Sequence, residues 1–127
     1  RGICEQTGFI SDKGLNDAGV FSLGLLQMIF FYRERKWYAG QFVRKIVCKY
    51  PIDKYMGIYL ETVLNALSEY LLSGLVRDVD DAFLNAEINL PVTSSGDIDF
   101  EFMRSFVIDS QKNLLKLLIK EYNCEFE

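Results

Sequence analysis

The sequence predicts an α+β domain: a twisted, mainly antiparallel β-hairpin or sheet packed against a central helix, with a further helix at the C-terminal end. Three observations carry this reading. Residues 20–49 contain aromatic and aliphatic runs of strand length, residues 55–72 place apolar side chains at three- and four-residue steps, and the segment after Asp99 repeats that helical spacing to about Tyr122. The chain has 127 residues, half of them hydrophobic, with ten Phe, seven Tyr, one Trp and only two Pro, enough for one domain around one core.

The first two dozen residues carry Gly2, Gly8, Gly14, Gly19 and Gly24 among polar turn formers such as Ser11, Asp12, Asn16 and Asp17. They read as loops and short extended pieces. Residues 20–23 and 25–32 are strand-like runs, residues 33–36 (Arg-Glu-Arg-Lys) form a charged turn, and residues 37–49 return as a second extended segment. This predicts a β-hairpin with a basic tip at 33–36. Alternation falters around Gly40, where a glycine within a strand points to a bulge.

Pro51-Ile52-Asp53 then opens the central helix, with Asp53 placed to cap its first free amides. Met56, Leu60, Val63, Leu67 and Leu71 form its apolar face, and Gly74 stands where a left-handed cap is expected. Residues 80–85 predict a short helical turn, and residues 87–90 a short strand ended by Pro91. Thr93-Ser94-Ser95-Gly96 is a polar turn, after which Asp97 or Asp99 can cap the final helix and Glu101 suits its positive end. Met103, Phe106 or Val107, Ser110, Leu114, Leu117 and Leu118 make a near-heptad seam, too short to establish a coiled coil. Packing on its own domain and docking on a partner both remain open for this helix.

Several chemistries are excluded or disfavoured. There is no histidine, which removes Ser-His-Asp and Cys-His catalysis and imidazole metal sites. No Walker-type loop and no G-x-G-x-x-G order occurs, and neither proline sits in the proline-aromatic loop with which amino-methyltransferases grip a flipped base. Cys4, Cys48 and Cys124 are odd in number and widely spaced, so neither a disulfide framework nor a zinc site is expected, and a reducing cytoplasm is the simplest setting. Glu34-Arg35-Lys36, with Asp12 or Asp17 upstream, superficially resembles a nuclease metal strand, but its place in a charged turn argues for solvation. Asp78, Asp80 and Asp81, and Asp97 and Asp99, lack the spacing of a calcium loop and read as caps and solvated charge. No catalytic residue, metal or cofactor is therefore expected.

No apolar stretch approaches the roughly 18–20 residues of a membrane-spanning helix. The chain begins at Arg1, which fits a fragment whose native start lies elsewhere. Net charge is −4, unfavourable for a nucleic-acid partner, yet the charges are segregated. Residues 30–54 hold seven basic residues against two acidic ones, a net of +5, and residues 55–109 hold two against ten, a net of −8. Such polarity can focus an anionic ligand on one face, although solvated charge on opposite sides of an ordinary domain gives the same count.

Ile88-Asn89-Leu90-Pro91-Val92, the glycine turn at 96, and Ile98-Asp99-Phe100-Glu101-Phe102-Met103 resemble the C-terminal part of the DNA target recognition domain in type I restriction-modification specificity subunits. Trp37-Tyr38-Ala39-Gly40 and the helix that follows occupy matching places in the order. The resemblance spans roughly residues 20–110. It implies a non-catalytic bacterial, cytoplasmic module that reads a short double-stranded DNA sequence, while a methyltransferase subunit and a restriction subunit supply chemistry. A full recognition domain in that family is longer, so residues 1–100 correspond to a partial domain, and residues 101–127 to the start of a helical spacer that packs as a coiled coil. A homodimer through this helix is a further option.

Physical reasoning selects the basic segment as the DNA face. Arg33, Arg35 and Lys36 can reach phosphates or guanine edges, Trp37 and Tyr38 can stack or pack at a groove edge, Gln41 can pair with adenine, and Arg44 and Lys45 can hold the backbone. Against this, Trp37, Phe42 and Ile46 suit a core, and basic turns are commonly only solvated. The competing function is a protein-interaction module that docks through its final helix without binding DNA itself.

Overall fold

The computed structural model describes residues 14–125. Strand β1 (Leu15–Asn16) is followed by β2 (Val20–Gly24), β3 (Ile29–Arg33), β4 (Trp37–Tyr38) and β5 (Val43–Ile46). Helices α1 (Lys54–Asn65), α2 (Ser68–Leu72), α3 (Val79–Leu84) and α4 (Phe100–Glu125) complete the chain, with a 3₁₀ turn, Val76–Asp78, leading into α3. The architecture is α+β, with antiparallel strands packed against helices and a long final helix.

The main sheet has the order β3-β2-β5, and β1 pairs separately with β4. In the main sheet Phe21 lies opposite Tyr32 and Ile46, and Leu23 lies opposite Phe30 and Arg44. Because successive strand residues alternate faces, Phe21, Leu23 and Phe30 share the inner face. There they pack in one core with Leu60 and Leu64 of α1, Leu71 of α2, Val79 of α3 and Met103 of α4.

Three sequence expectations about the strands are corrected. The hairpin tip is at residues 25–28, not at 33–36: β2 turns there into β3, with Leu25 and Met28 buried and Met28 at φ 54°. Residues 37–49 do not form one strand. Two residues pair with β1, the chain crosses residues 39–42, and β5 then pairs with β2 rather than β3. The irregularity expected as a bulge at Gly40 is this change of sheet, and its left-handed residue is Phe42, φ 60°.

The free edge of β3 is closed by side chains. Asn65 accepts from the Phe30 amide at 2.7 Å and donates to the Phe30 carbonyl at 3.0 Å, as a neighbouring strand would. Glu61 accepts from the Tyr32 amide at 3.1 Å, and Ser68 donates to the Met28 carbonyl at 2.6 Å. The match is geometric: four helical residues rise about 6 Å and two strand residues about 6.6 Å, so positions 61 and 65 keep step with 32 and 30.

The central helix is also shorter than its apolar spacing suggests. Tightened bonds from the Ala66 amide to Val63 and from the Leu67 amide to Leu64 end α1, and α2 starts afresh with Ser68 aimed at Met28. Gly74 does not adopt the left-handed cap; α2 is closed by Ser73, whose amide donates to the Glu69 and Tyr70 carbonyls. Residues 87–90 join no sheet, and the pairing nearby is a single bridge between Val92 and Ile98 around the Gly96 turn.

The two aspartate caps form as expected. Asp53 accepts from the Met56 amide at 2.9 Å, and Asp99 from the Phe102 amide at 3.0 Å. Asp53 also accepts from Arg104 Nε at 2.7 Å, which ties the start of α1 to the second turn of α4. Among the described side chains of α4 only Met103 and Val107 are buried, and from Asp109 to Glu121 every residue is exposed. Among the described residues no helix is long and apolar enough to cross a membrane.

Candidate nucleic-acid interface

The outer face of the main sheet carries the residues of opposite parity to the core: Val20 and Ser22 of β2, Phe31 and Arg33 of β3, and Lys45 of β5. Ser22 lies opposite both Phe31 and Lys45. Arg33 Nε donates to Ser22 Oγ at 2.8 Å, and the Arg33 guanidinium carbon lies 5.3 Å from the ring centres of both Phe31 and Trp37. The face thus presents one cation held by a hydroxyl and two rings, with a second, Lys45, exposed across the same strand.

The eight residues singled out in the sequence divide into separate roles. Arg35 and Lys36 are exposed in the connection from β3 to β4, beside Arg33. With Tyr32, Arg33, Glu34 and Trp37 they line a shallow depression of about 400 Å³. Trp37 itself is buried, and its Nε1 donates to the Asp17 carbonyl at 3.0 Å, so it braces the β1–β4 pair. Tyr38 and Gln41 are exposed, Tyr38 in β4 and Gln41 in the crossing to β5. Arg44 has the parity of the inner face at the sheet edge and pairs with Asp80 of α3 at 3.0 Å, away from Lys45. Phe42 is exposed, and Ile46 packs against the core.

Charge in the depression is mixed, since Glu34 stands among the cations. Burial, assisted by the Glu34 and Asp53 carboxylates, holds the Tyr32 phenol above its ordinary value, so it remains a neutral hydroxyl. Glu34 and Lys36 are both exposed in the connection; Asp17 is engaged through its backbone, and Asp12 lies outside the described residues.

Ser22 and Phe31 are the residues that sequence reasoning missed. Their signal was strand parity: Phe31 is two positions from Arg33, and Ser22 is the polar residue in an otherwise apolar strand. Reading them as partners of Arg33 needs the register of β2 against β3, which the misplaced hairpin tip concealed.

A second surface lies between α1 and α4, where Tyr59 makes edge contacts with Phe102 and Phe106. Beyond it α4 exposes Leu114, Leu115, Leu117, Leu118 and Ile119, more than half of each being accessible.

No curated protein and no solved structure matches the chain. A family model does: that of the type I restriction modification DNA specificity domain, over residues 6–120. The match takes in the sheet, the packed helices and most of α4, and the chain accordingly belongs to the family of type I restriction modification DNA specificity domains.

Proposed function

We propose that the chain is the sequence-reading part of a bacterial type I restriction-modification system, itself non-catalytic, and that it meets double-stranded DNA through the outer sheet face and the β3–β4 connection. The observation that carries this is the coincidence of family membership with a face bearing Arg33, Arg35, Lys36 and Lys45. Arg33, Arg35 and Lys36 engage the duplex, Lys45 holds its backbone, Tyr38 and Gln41 border the contact, and Trp37 supports it from beneath. Arg44 contributes only once it leaves Asp80. Methyltransfer and cleavage belong to partner subunits, with residues 1–100 as the recognition unit and residues 101–127 as the link to them.

The test is a fluorescence-anisotropy titration against random duplex DNA at low and moderate salt. Binding that weakens steeply with salt, and weakens further in the Arg33→Ala/Arg35→Ala/Lys36→Ala variant, is the expected outcome. Affinity that is indifferent to both salt and the triple change would sink the proposal.

The exposed apolar side chains at 114–119 favour a second reading, in which α4 docks on a methyltransferase subunit or on a second copy of the chain. Docking of that kind changes little with salt and fails when Leu114 and Leu118 become polar.

A further inference from the structure

Resting on the DNA reading above, we infer that Arg33 is a guanine reader, so that the target of this chain contains a G·C pair whose guanine O6 and N7 receive the two Nη groups of Arg33. A free arginine side chain samples many rotamers. This one is fixed at three points: Nε on Ser22 Oγ, one side against Phe31 and another against Trp37. The Nε bond matters most. Guanidinium can present either its Nε–Nη side or its Nη–Nη end to a two-acceptor edge, and with Nε occupied by Ser22 the end remains. Neither Nη group has a hydrogen bond to protein among the described residues.

The arrangement suits base reading better than phosphate binding. A phosphate offers acceptors in many directions and is served equally well by the unconstrained, exposed Arg35 and Lys36. A guanine edge offers two coplanar acceptors in one direction, and a planar fork held in advance meets it with little further loss of side-chain freedom. Phe31 is about half exposed beside the guanidinium, where its ring can meet the neighbouring base edge or a thymine methyl. Ser22 is a positioning residue: it touches Arg33 and is itself buried beneath the surface.

The experiment is selection of bound sequences from a randomised duplex pool by the chain and by its Arg33→Lys and Ser22→Ala variants, with affinities then measured on the selected site and on its single-base changes. Circular dichroism checks that both variants remain folded. The expected result is a required guanine, preferred by about tenfold to a hundredfold over the other bases. Arg33→Lys retains the charge and the salt dependence but reduces that preference to about threefold or less at this one position. Ser22→Ala blunts the same preference by a larger factor than it weakens binding to random DNA.

Three results would overturn the inference. If Arg33→Lys weakens all sequences equally, Arg33 holds phosphate. If the wild-type chain binds DNA without a required guanine, the DNA reading stands and the guanine assignment falls. If the wild-type chain binds no DNA at either salt concentration, both fall together.

Discussion

Asn65 takes the place of a fourth strand for Phe30, and its removal tests whether side chains can close a sheet edge. Asn65→Leu keeps the number and branching of the side-chain heavy atoms but orphans an amide and a carbonyl, at a cost of about 1–3 kcal/mol for each group, read as a lower urea midpoint. Gly57 gives a second prediction at this scale. A Cβ there would stand 2.5 Å from the Tyr32 ring, so Gly57→Ala should destabilise by about 1–3 kcal/mol before its helix-propensity gain of about 1 kcal/mol is subtracted. Tyr32 adds a pH dependence. Its folded-state pKa lies above the ordinary 10.0, so its contribution is intact below that pH and is lost as pH rises through the folded value. Tyr32→Phe should flatten the alkaline limb of a stability-against-pH curve relative to wild type. The aspartate caps were legible in the sequence because Asp53 and Asp99 serve amides three positions away. Asn65 was not, because its partner is 35 residues distant and nothing local distinguishes it from a solvated asparagine.

Elements were legible where their signal was periodic and illegible where it was conformational. The final helix and the start of α1 follow from apolar spacing and a cap. The turn at residues 25–28 is Leu-Leu-Gln-Met, apolar like its strands, and it closes by sending Leu25 and Met28 into the core. No glycine or proline lies within it, and the adjacent Gly24 is the last paired residue of β2. The break between α1 and α2 is equally silent, since Ala66 and Leu67 are good helix formers and the cause is the reach of Ser68 to Met28. Helix α4 supplies a prediction at this scale. It is 26 residues long, about 39 Å at the usual rise, yet among its described side chains only Met103 and Val107 are buried. Leu114→Gln/Leu118→Gln should therefore alter domain stability by no more than about 0.5 kcal/mol, while weakening any association that uses α4, measured by sedimentation at several concentrations. Asp53→Ala should behave oppositely. It removes a cap and the tie to Arg104, so a loss of about 1–2 kcal/mol is expected in the same denaturation assay.

Across the whole molecule, the segregation of charge along the chain is only partly kept in space. Asp80, from the acidic half, reaches Arg44 of β5, and Asp53 reaches Arg104, so the basic segment does not act as one undivided patch. Counting charges by position selected the segment proposed as the DNA face but could not assign sides, because the faces of Arg44 and Lys45 depend on register. If DNA lies on the basic face, Asp80→Asn should raise its affinity for random duplex by up to about fivefold at low salt, an effect that fades as salt rises. Strand β3 carries a broader consequence. Its even positions, Phe30 and Tyr32, are committed to the core and to the helix side chains that seal its edge, whereas its odd positions, Phe31 and Arg33, lie on the outer face. Inheritance can therefore edit the two sets separately. If the outer face reads DNA as proposed, a lineage under pressure to recognise a new site can exchange residues 31 and 33 while the scaffold at 30 and 32 stays as it is, so that new specificities arise without passing through unfolded ancestors.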